Sequence, residues 1–432
     1  MGRRTVLASL LASALAAAAA LATGPAAPRA SAAPDVRYGL TDDAWLLHGA
    51  GPLEARLQQL DELGVRIVRF SLHWDQIAPT EPTAPDDPAD PAYDWADADA
   101  VVNGLRTHGI EPLLQLVGTP SWANGGRASN WAPTSAAAFG AFATAAARHY
   151  PWVRRWLVWN EPNQARWLRP TLPAVYVTRL LNPAYTALHR TIRGVQVGGG
   201  GTAPRAATGG VSPIAWLKGM HAFHARLDAY AHNPYPLDPK RETPLHGGCT
   251  HCSTITMATI DRLTALVAAN FPRARIWLTE YGYQSDPPDR LLGVTTALQA
   301  RYVGEGAYAA YRTPRVDVLI HFLYRDEPDL ARFQSGLVTL TNHAKPALAA
   351  FRLPLAEISR SGSRVALWGQ LRAPGTEGAA AWLERRVGRG WRPLAKLARG
   401  SRGVVRWSGT LSRGAVVRLR AGTLVGAPLT LT

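Results

Sequence analysis

The sequence predicts an α/β fold, a (β/α)8 TIM barrel over residues 34–354, followed by a small all-β sandwich over residues 355–432. Three observations predict it. Eight apolar strand-like runs alternate with eight helical stretches. The span from Val36 to Phe351 is 316 residues, about 40 per strand–helix unit, somewhat more than the ~250 residues of a minimal barrel. After Pro354 the pattern switches to short alternating runs between Gly- and Arg-rich turns. A chain of 432 residues with 47% hydrophobic residues, 39 Gly and 33 Pro has enough apolar surface for such a core. That composition excludes a disordered chain, a coiled coil and a collagen-like fibre.

Residues 1–33 read as a secretory signal peptide. Arg3-Arg4 is a short cationic start, Val6 to Ala22 is an Ala/Leu run, and Gly24, Pro25 and Pro28 precede the small residues Ala30-Ser-Ala-Ala33. That order fits an A-x-A cleavage site, with a mature chain starting near Ala33 or Pro34 and secreted or otherwise extracytoplasmic. An uncleaved membrane anchor is the alternative. No later run approaches the ~20 apolar residues of a membrane span.

Barrel strands are expected at Val36–Thr41, Ile67–Trp74, Glu111–Val117, Arg155–Trp159, Val195–Gly198, Leu227–His232, Arg275–Thr279 and Val316–Phe322. Several are continuous apolar runs, as strands covered on both faces should be. The helices fall near Leu53–Leu63, Asp97–His108, Ser135–His149, Ala174–Ile192, Pro213–His224, Thr254–Asn270, Leu291–Ala310 and Lys345–Phe351. The extra length lies in loops after strands, which form the active-site face of a barrel. In the loop from Ala78 to Trp95, prolines 79, 82, 85, 88 and 91 recur every third residue among acids. This reads as polyproline II, either a stiff solvated loop or a wall of a substrate cleft.

The loop from Pro234 to Ser253 carries the only cysteines, Cys249 and Cys252. In an oxidising compartment the expected outcome is a small disulfide; a metal site with His246 and His251 is the sharper alternative. No metal or cofactor requirement is read from the sequence.

The formal charge of +16 is unevenly spread. Pro34 to Leu355 carries 30 Lys+Arg against 28 Asp+Glu, whereas Ala356 to Thr432 carries 14 against 3. An excess confined to the tail argues against a nucleic-acid-binding protein. It fits either contact between the sandwich and an anionic cell-envelope polymer or plain solubilisation.

Two carboxylates carry the chemistry. Glu161 lies in Trp156-Leu-Val-Trp-Asn-Glu-Pro-Asn163, where a polar pair directly follows the fourth strand and Pro162 turns the chain. Glu280 lies in Trp277-Leu-Thr-Glu-Tyr-Gly282, directly after the seventh buried run. The two are 119 positions apart, close to three units, so both should fall at one height across the barrel mouth. Glycoside cleavage needs two carboxylates flanking one bond, and a separation of about 5–5.5 Å gives retention through a covalent glycosyl-enzyme. The bland alternative is that each Glu is an ion-pair partner.

These paired motifs resemble those of the large clan of retaining (β/α)8-barrel glycoside hydrolases, closest to families five (cellulase-like) and thirty-nine (β-xylosidase-like); Thr119-Pro-Ser-Trp-Ala123 also resembles the latter. The resemblance covers about Asp35 to Pro354. It implies that Glu161 is the acid/base, that Glu280 is the nucleophile, and that Asn160 holds the sugar 2-hydroxyl. Arg69, in Val68-Arg-Phe70, would orient the nucleophile and keep it ionised. His232 and Tyr235, in Ala231-His-Asn-Pro-Tyr-Pro236, match the clan's strand-6 polar and aromatic pair, with Tyr235 donating to Glu280. Trp74, Trp122 and Trp167 are expected on top-face loops as sugar-stacking surfaces. One departure is that many clan members end strand 8 on a Trp, whereas Ile320-His-Phe-Leu-Tyr-Arg-Asp-Glu327 has none; Tyr324 or His321 is expected in its place.

The expected function is hydrolysis of a β-linked oligo- or polysaccharide by double displacement. A transglycosylase and a non-catalytic carbohydrate-binding barrel share the same residues and stay open.

Overall fold

In a computed structural model, residues 35–432 are described. The signal segment expected over residues 1–33 lies outside them. Eight parallel strands close into a barrel: Arg37–Thr41, Ile67–His73, Glu111–Val117, Arg155–Val158, Gln196–Thr202, Ala229–His232, Arg275–Tyr281 and Val316–Phe322. The first strand pairs with both the second and the eighth, for example Leu40 with Val68 and Tyr38 with Leu319. Inside the barrel Ile67, Leu113, Leu157, Ala229, Ala231, Trp277, Val318 and Ile320 form a separate core. Trp277 fills its centre because its neighbours are small: a Cβ on Gly198 would stand 2.6 Å from the indole.

Helices follow each strand, including Ala136–His149, Asn182–Thr191 and Thr296–Arg312, and bury their apolar faces on the barrel's outer surface. None of the described helices is long and apolar enough to cross a membrane. Helix formation around Thr254 starts later than expected. Thr256 and Thr259 exchange capping hydrogen bonds over a short 3-10 turn, and the α-helix runs only over Ile260–Asn270.

The proline-spaced loop packs along the helix Ala136–His149. Asp90 accepts from Thr83 Oγ1 and the Ala84 amide, breaking any continuous polyproline II run into turns. Trp95 stacks on His149 at 4.6 Å, and Arg148 pairs with Asp86. The loop stiffens the outer layer.

Beyond the last barrel helix, Pro346–Arg352, the chain forms two antiparallel sheets. One holds Leu355–Ser361, Arg364–Gln370 and Val404–Thr410; the other holds Ala381–Val387, Gly390–Leu397, Val416–Ala421 and two short strands. Their inner faces share an apolar core that includes Leu367, Leu383 and Leu419. The described residues make one compact unit: Trp368 packs against Tyr308 and Tyr311, with ring centroids 5.6 and 5.3 Å apart. Part of the tail's positive charge is spent internally. Arg418 and Arg420 both bind Glu384, Arg360 binds Glu357, and Arg402 binds Asp35.

Candidate active site

Each candidate carboxylate is positioned by a different local device. Glu280 lies on the seventh strand where its pairing with the eighth shifts register between Leu278 and Tyr281, an irregularity of the kind that re-aims a side chain. Glu161 sits on a turn. Trp159 and Glu161 both take positive φ, 68° and 36°, a costly conformation for residues with a Cβ, sustained only by surrounding structure. The supports are visible. The Trp159 amide bonds Leu116 O, its indole N–H bonds Trp167 O at 2.8 Å, and the Glu161 amide bonds Gly201 O at 3.0 Å. Gly201 itself has φ of 49°, and a Cβ there would approach Trp159 O to 3.3 Å, so the end of the fifth strand needs glycine. The Tyr176 hydroxyl ties these strands to the helical layer, donating to Val158 O and accepting from the Gly200 amide.

Both carboxylates are buried, at 5% and 7% exposure. Glu280 Oε1 accepts from Arg69 Nη1 at 2.7 Å, and its Oε2 accepts from the Tyr235 hydroxyl at 2.8 Å. Arg69 also donates to Thr279 O at 3.1 Å and faces the charge of Asp43. Burial, then the charge of Glu280, pushes the Tyr235 hydroxyl well above the ordinary phenol range, so it remains a donor.

Glu161 is placed differently. Its Oε1 accepts from Asn233 Nδ2 at 3.2 Å, and its Oε2 accepts from Arg166 Nη2 at 3.1 Å. Burial first, then the negative charge of Glu280, raises its pKa; Arg166 and Asn233 pull the other way. Asn233 joins the two halves of the site, since its Oδ1 accepts from Thr279 Oγ1 at 2.8 Å, next to Glu280. One carboxylate is thus braced by a cation and a hydroxyl, and the other is biased toward its protonated form. That asymmetry is what an acid and a nucleophile require.

Among the other sequence-predicted residues, Asn160 lies within the strained turn, between Trp159 and Glu161; its Oδ1 lies 3.5 Å from Gln115 Nε2, which also bonds Trp159 O. Trp122 and Trp167 are half-buried near the mouth, the former bonding Ala78 O. Three expectations are corrected. Trp74 is fully buried, stacked on Phe142 at 5.4 Å and edge-on to Trp122, so it offers no face to a sugar. His232 is also fully buried; its nitrogens meet Thr202 Oγ1 and Ile255 O, and burial lowers its pKa to about 4, leaving a neutral core imidazole. Tyr324 stacks on Trp45 at 4.0 Å and donates to Gln59, outside the cleft. His321 likewise bonds Ser335 O and faces Phe351.

The aromatic that strand 8 brings beside the site is Phe322, half-buried and edge-on to Tyr235 at 6.3 Å and to Phe333 at 5.0 Å. Sequence reasoning also missed Asn233, Arg166, Gln115 and Asp43.

Cys249 and Cys252 form a disulfide, with Cα atoms 5.7 Å apart, in place of the metal alternative. Arg262 secures the same loop through the carbonyls of Cys249, Cys252 and Thr254. Among the described residues no cluster of His, Cys, Asp and Glu has the arrangement of a metal site. No arrangement on the sandwich surface singles out a site for an anionic polymer.

No family model and no curated protein matches the chain. Solved structures do match. A GH39 enzyme from Xanthomonas axonopodis pv. citri superposes with a TM-score of 0.57 at 16% identity, covering 93% of this chain and 96% of its own. CelM2, a bifunctional glucanase-xylanase from a metagenome library, gives 0.52 at 10% identity, covering 92% and 97%. A GH5_18 variant from Streptomyces cattleya in complex with Manβ1-4GlcNAc gives 0.51 at 16% identity, covering 72% and 78%. At these identities the likeness is one of fold, and the chain has the barrel fold found in the TIM-barrel glycoside hydrolases.

Proposed function

We propose that the protein is a retaining glycoside hydrolase acting on a β-linked glycan outside the cytoplasm. The observation that carries this reading is the pair of buried carboxylates with opposite environments. Glu280 is braced by Arg69 and Tyr235; Glu161 is raised by burial and by the charge of Glu280. In the first step a Glu280 oxygen attacks the anomeric carbon as the bond to the leaving oxygen breaks, and Glu161 gives that oxygen its proton. The glycosyl ester removes the charge on Glu280, so the Glu161 pKa falls. Glu161 then takes a proton from water, which attacks the anomeric carbon and frees Glu280. Asn160 supports the 2-hydroxyl, and the half-buried Trp122, Trp167 and Phe322 supply apolar faces.

The test is a screen of aryl β-glycosides and of plant and bacterial polysaccharides. Glu280→Gln should lose at least ~10³-fold in turnover, and Glu161→Ala about 10²–10⁴-fold, less on good leaving groups. NMR of the first-formed sugar should show the β-anomer. Undiminished turnover of Glu280→Gln, or an α-anomer, rejects the mechanism. Added acceptor sugars would reveal transglycosylation as longer products. The extracytoplasmic location rests on Arg3-Arg4, the Ala/Leu run and Ala30-Ser-Ala-Ala33; sequencing of an exported product should begin at Ala33 or Pro34.

A further inference from the structure

The three loops that enclose Glu161 follow the third, fourth and fifth strands, over residues 118–135, 159–172 and 203–212. They carry Arg127, Arg166, Arg169 and Arg205 and a single acid, Glu161 itself. All four arginines are exposed. The loops form one surface. Asn130 Nδ2 donates to Arg166 O at 3.1 Å, the Arg169 amide donates to Asn130 O at 2.8 Å, and Gln164 bonds both Arg205 O and the Ala207 amide. Two of the arginines lie over indoles: Arg127 is 4.3 Å from the Trp131 ring and Arg166 is 5.5 Å from Trp167. Of these four arginines only Arg166 has a carboxylate partner among the described residues, and that partner is Glu161; the Arg166 side chain is 66% exposed against 6% for Glu161.

This pairing opposes the role given to Glu161. A guanidinium on a carboxylate favours the ionised form, whereas a general acid must hold its proton. An exposed arginine on a long stem leaves a single buried partner readily when a better-placed anion is offered. The atom that Glu161 protonates belongs to the leaving sugar, so that sugar lies over these three loops.

We infer that the substrate is an acidic glycan with its anionic group, carboxylate or sulfate, on the leaving-side sugar. Arg166 reads that group and moves off Glu161 as it does so. Arg127, Arg169 and Arg205 supply the surrounding positive field, and Trp131 and Trp167 supply flat apolar faces beside the charges. Recognition of the correct sugar and release of the acid then occur in one movement. The inference rests on Glu161 being the acid/base.

The experiment uses β-linked disaccharides with the non-reducing sugar varied and the leaving sugar supplied as glucose, glucuronic acid or 6-sulfoglucose. Cleavage by the wild-type chain is measured, and binding is measured on the Glu280→Gln chain by calorimetry. Expected is a kcat/KM about 10–100-fold higher for an acidic leaving sugar than for glucose, shrinking as salt rises. The carboxylate and sulfate arms identify which anion is read. Arg166→Gln should bring that ratio to within about threefold of one, and Arg205→Gln should lower it partly. Equal kcat/KM for acidic and neutral sugars, or an equal loss on both in Arg166→Gln, overturns the inference while leaving the hydrolase reading intact. Acidic disaccharides bound through Arg166 but never cleaved would overturn the hydrolase reading instead. If the acidic disaccharides are neither bound nor cleaved, the inference is overturned.

Discussion

Burial and the charge of Glu280 push the Glu161 carboxyl above its ordinary value of 4.5, and the facing groups that oppose this are Arg166 and Asn233. The folded chain therefore holds a proton that the unfolded chain gives up near that value. Between 4.5 and the raised pKa the folded state binds more protons, so stability falls as pH rises through that window and stays lower above it. Glu161→Gln removes the ionisation while keeping the shape. It should raise the melting temperature relative to wild type at pH 8 and change it little at pH 4, as read by scanning calorimetry. An equal gain at both pH values would mean that the proton is not the cause. The same residue-level view explains what the sequence could and could not place. Glu161 and Glu280 were legible because a polar group stands out directly after an apolar run, whereas Arg69 and Tyr235 came only from the family resemblance. Asn233 was not legible, because a strand sends successive side chains to opposite faces. His232 points to Thr202 and Ile255, and its neighbour Asn233 points to the mouth. The same one-residue parity separates His321, turned to Phe351, from Phe322, turned to Tyr235.

Among the elements, the third and eighth strands match their expected bounds end to end, although each carries polar residues within its apolar run, Gln115 in one and Asp317 and His321 in the other. The fifth was expected to stop at Gly198 and runs to Thr202, because its four glycines carry no hydrophobic signal. Those glycines are explained by what lies against them. A Cβ on Gly198 would meet the Trp277 ring at 2.6 and 2.7 Å and Leu157 at 3.2 Å. Gly198→Ala should cost about 1–3 kcal/mol by urea denaturation, while Gly390→Ala, whose nearest atom is 3.9 Å away, should stay within ~0.5 kcal/mol. Comparable losses in both variants would show that chain flexibility, and not crowding under the indole, sets the requirement. The proline spacing misled because periodicity reports a local preference, while Asp90 and the aromatic stack on His149 decide the path.

Over the whole molecule, barrel and sandwich share their packing. Trp368 is fully buried against Tyr308 and Tyr311, Gly304 leaves room for the Leu355 carbonyl, and Arg372 lies 3.4 Å over the Tyr38 ring. The sequence marked where the pattern changes but not this interface, because the residues that make it come from strands and helices already accounted for by their own periodicity. The full chain should melt in a single transition. Trp368→Ala should cost about 3–5 kcal/mol of stability and lower that transition, and a chain ended at Pro354 should be poorly soluble with its aromatic patch bare. Two separated calorimetric peaks would show that the sandwich is an independent passenger.

The contact between Arg372 and Tyr38 also bears on the order of assembly. Tyr38 belongs to the first strand; its neighbour Leu319 is on the last strand of the ring, and the guanidinium over its ring, Arg372, comes later still. On a translating ribosome the opening strand therefore waits with one edge unmet until almost everything else has been synthesised. The closing turn of the ring is a late event by topology alone.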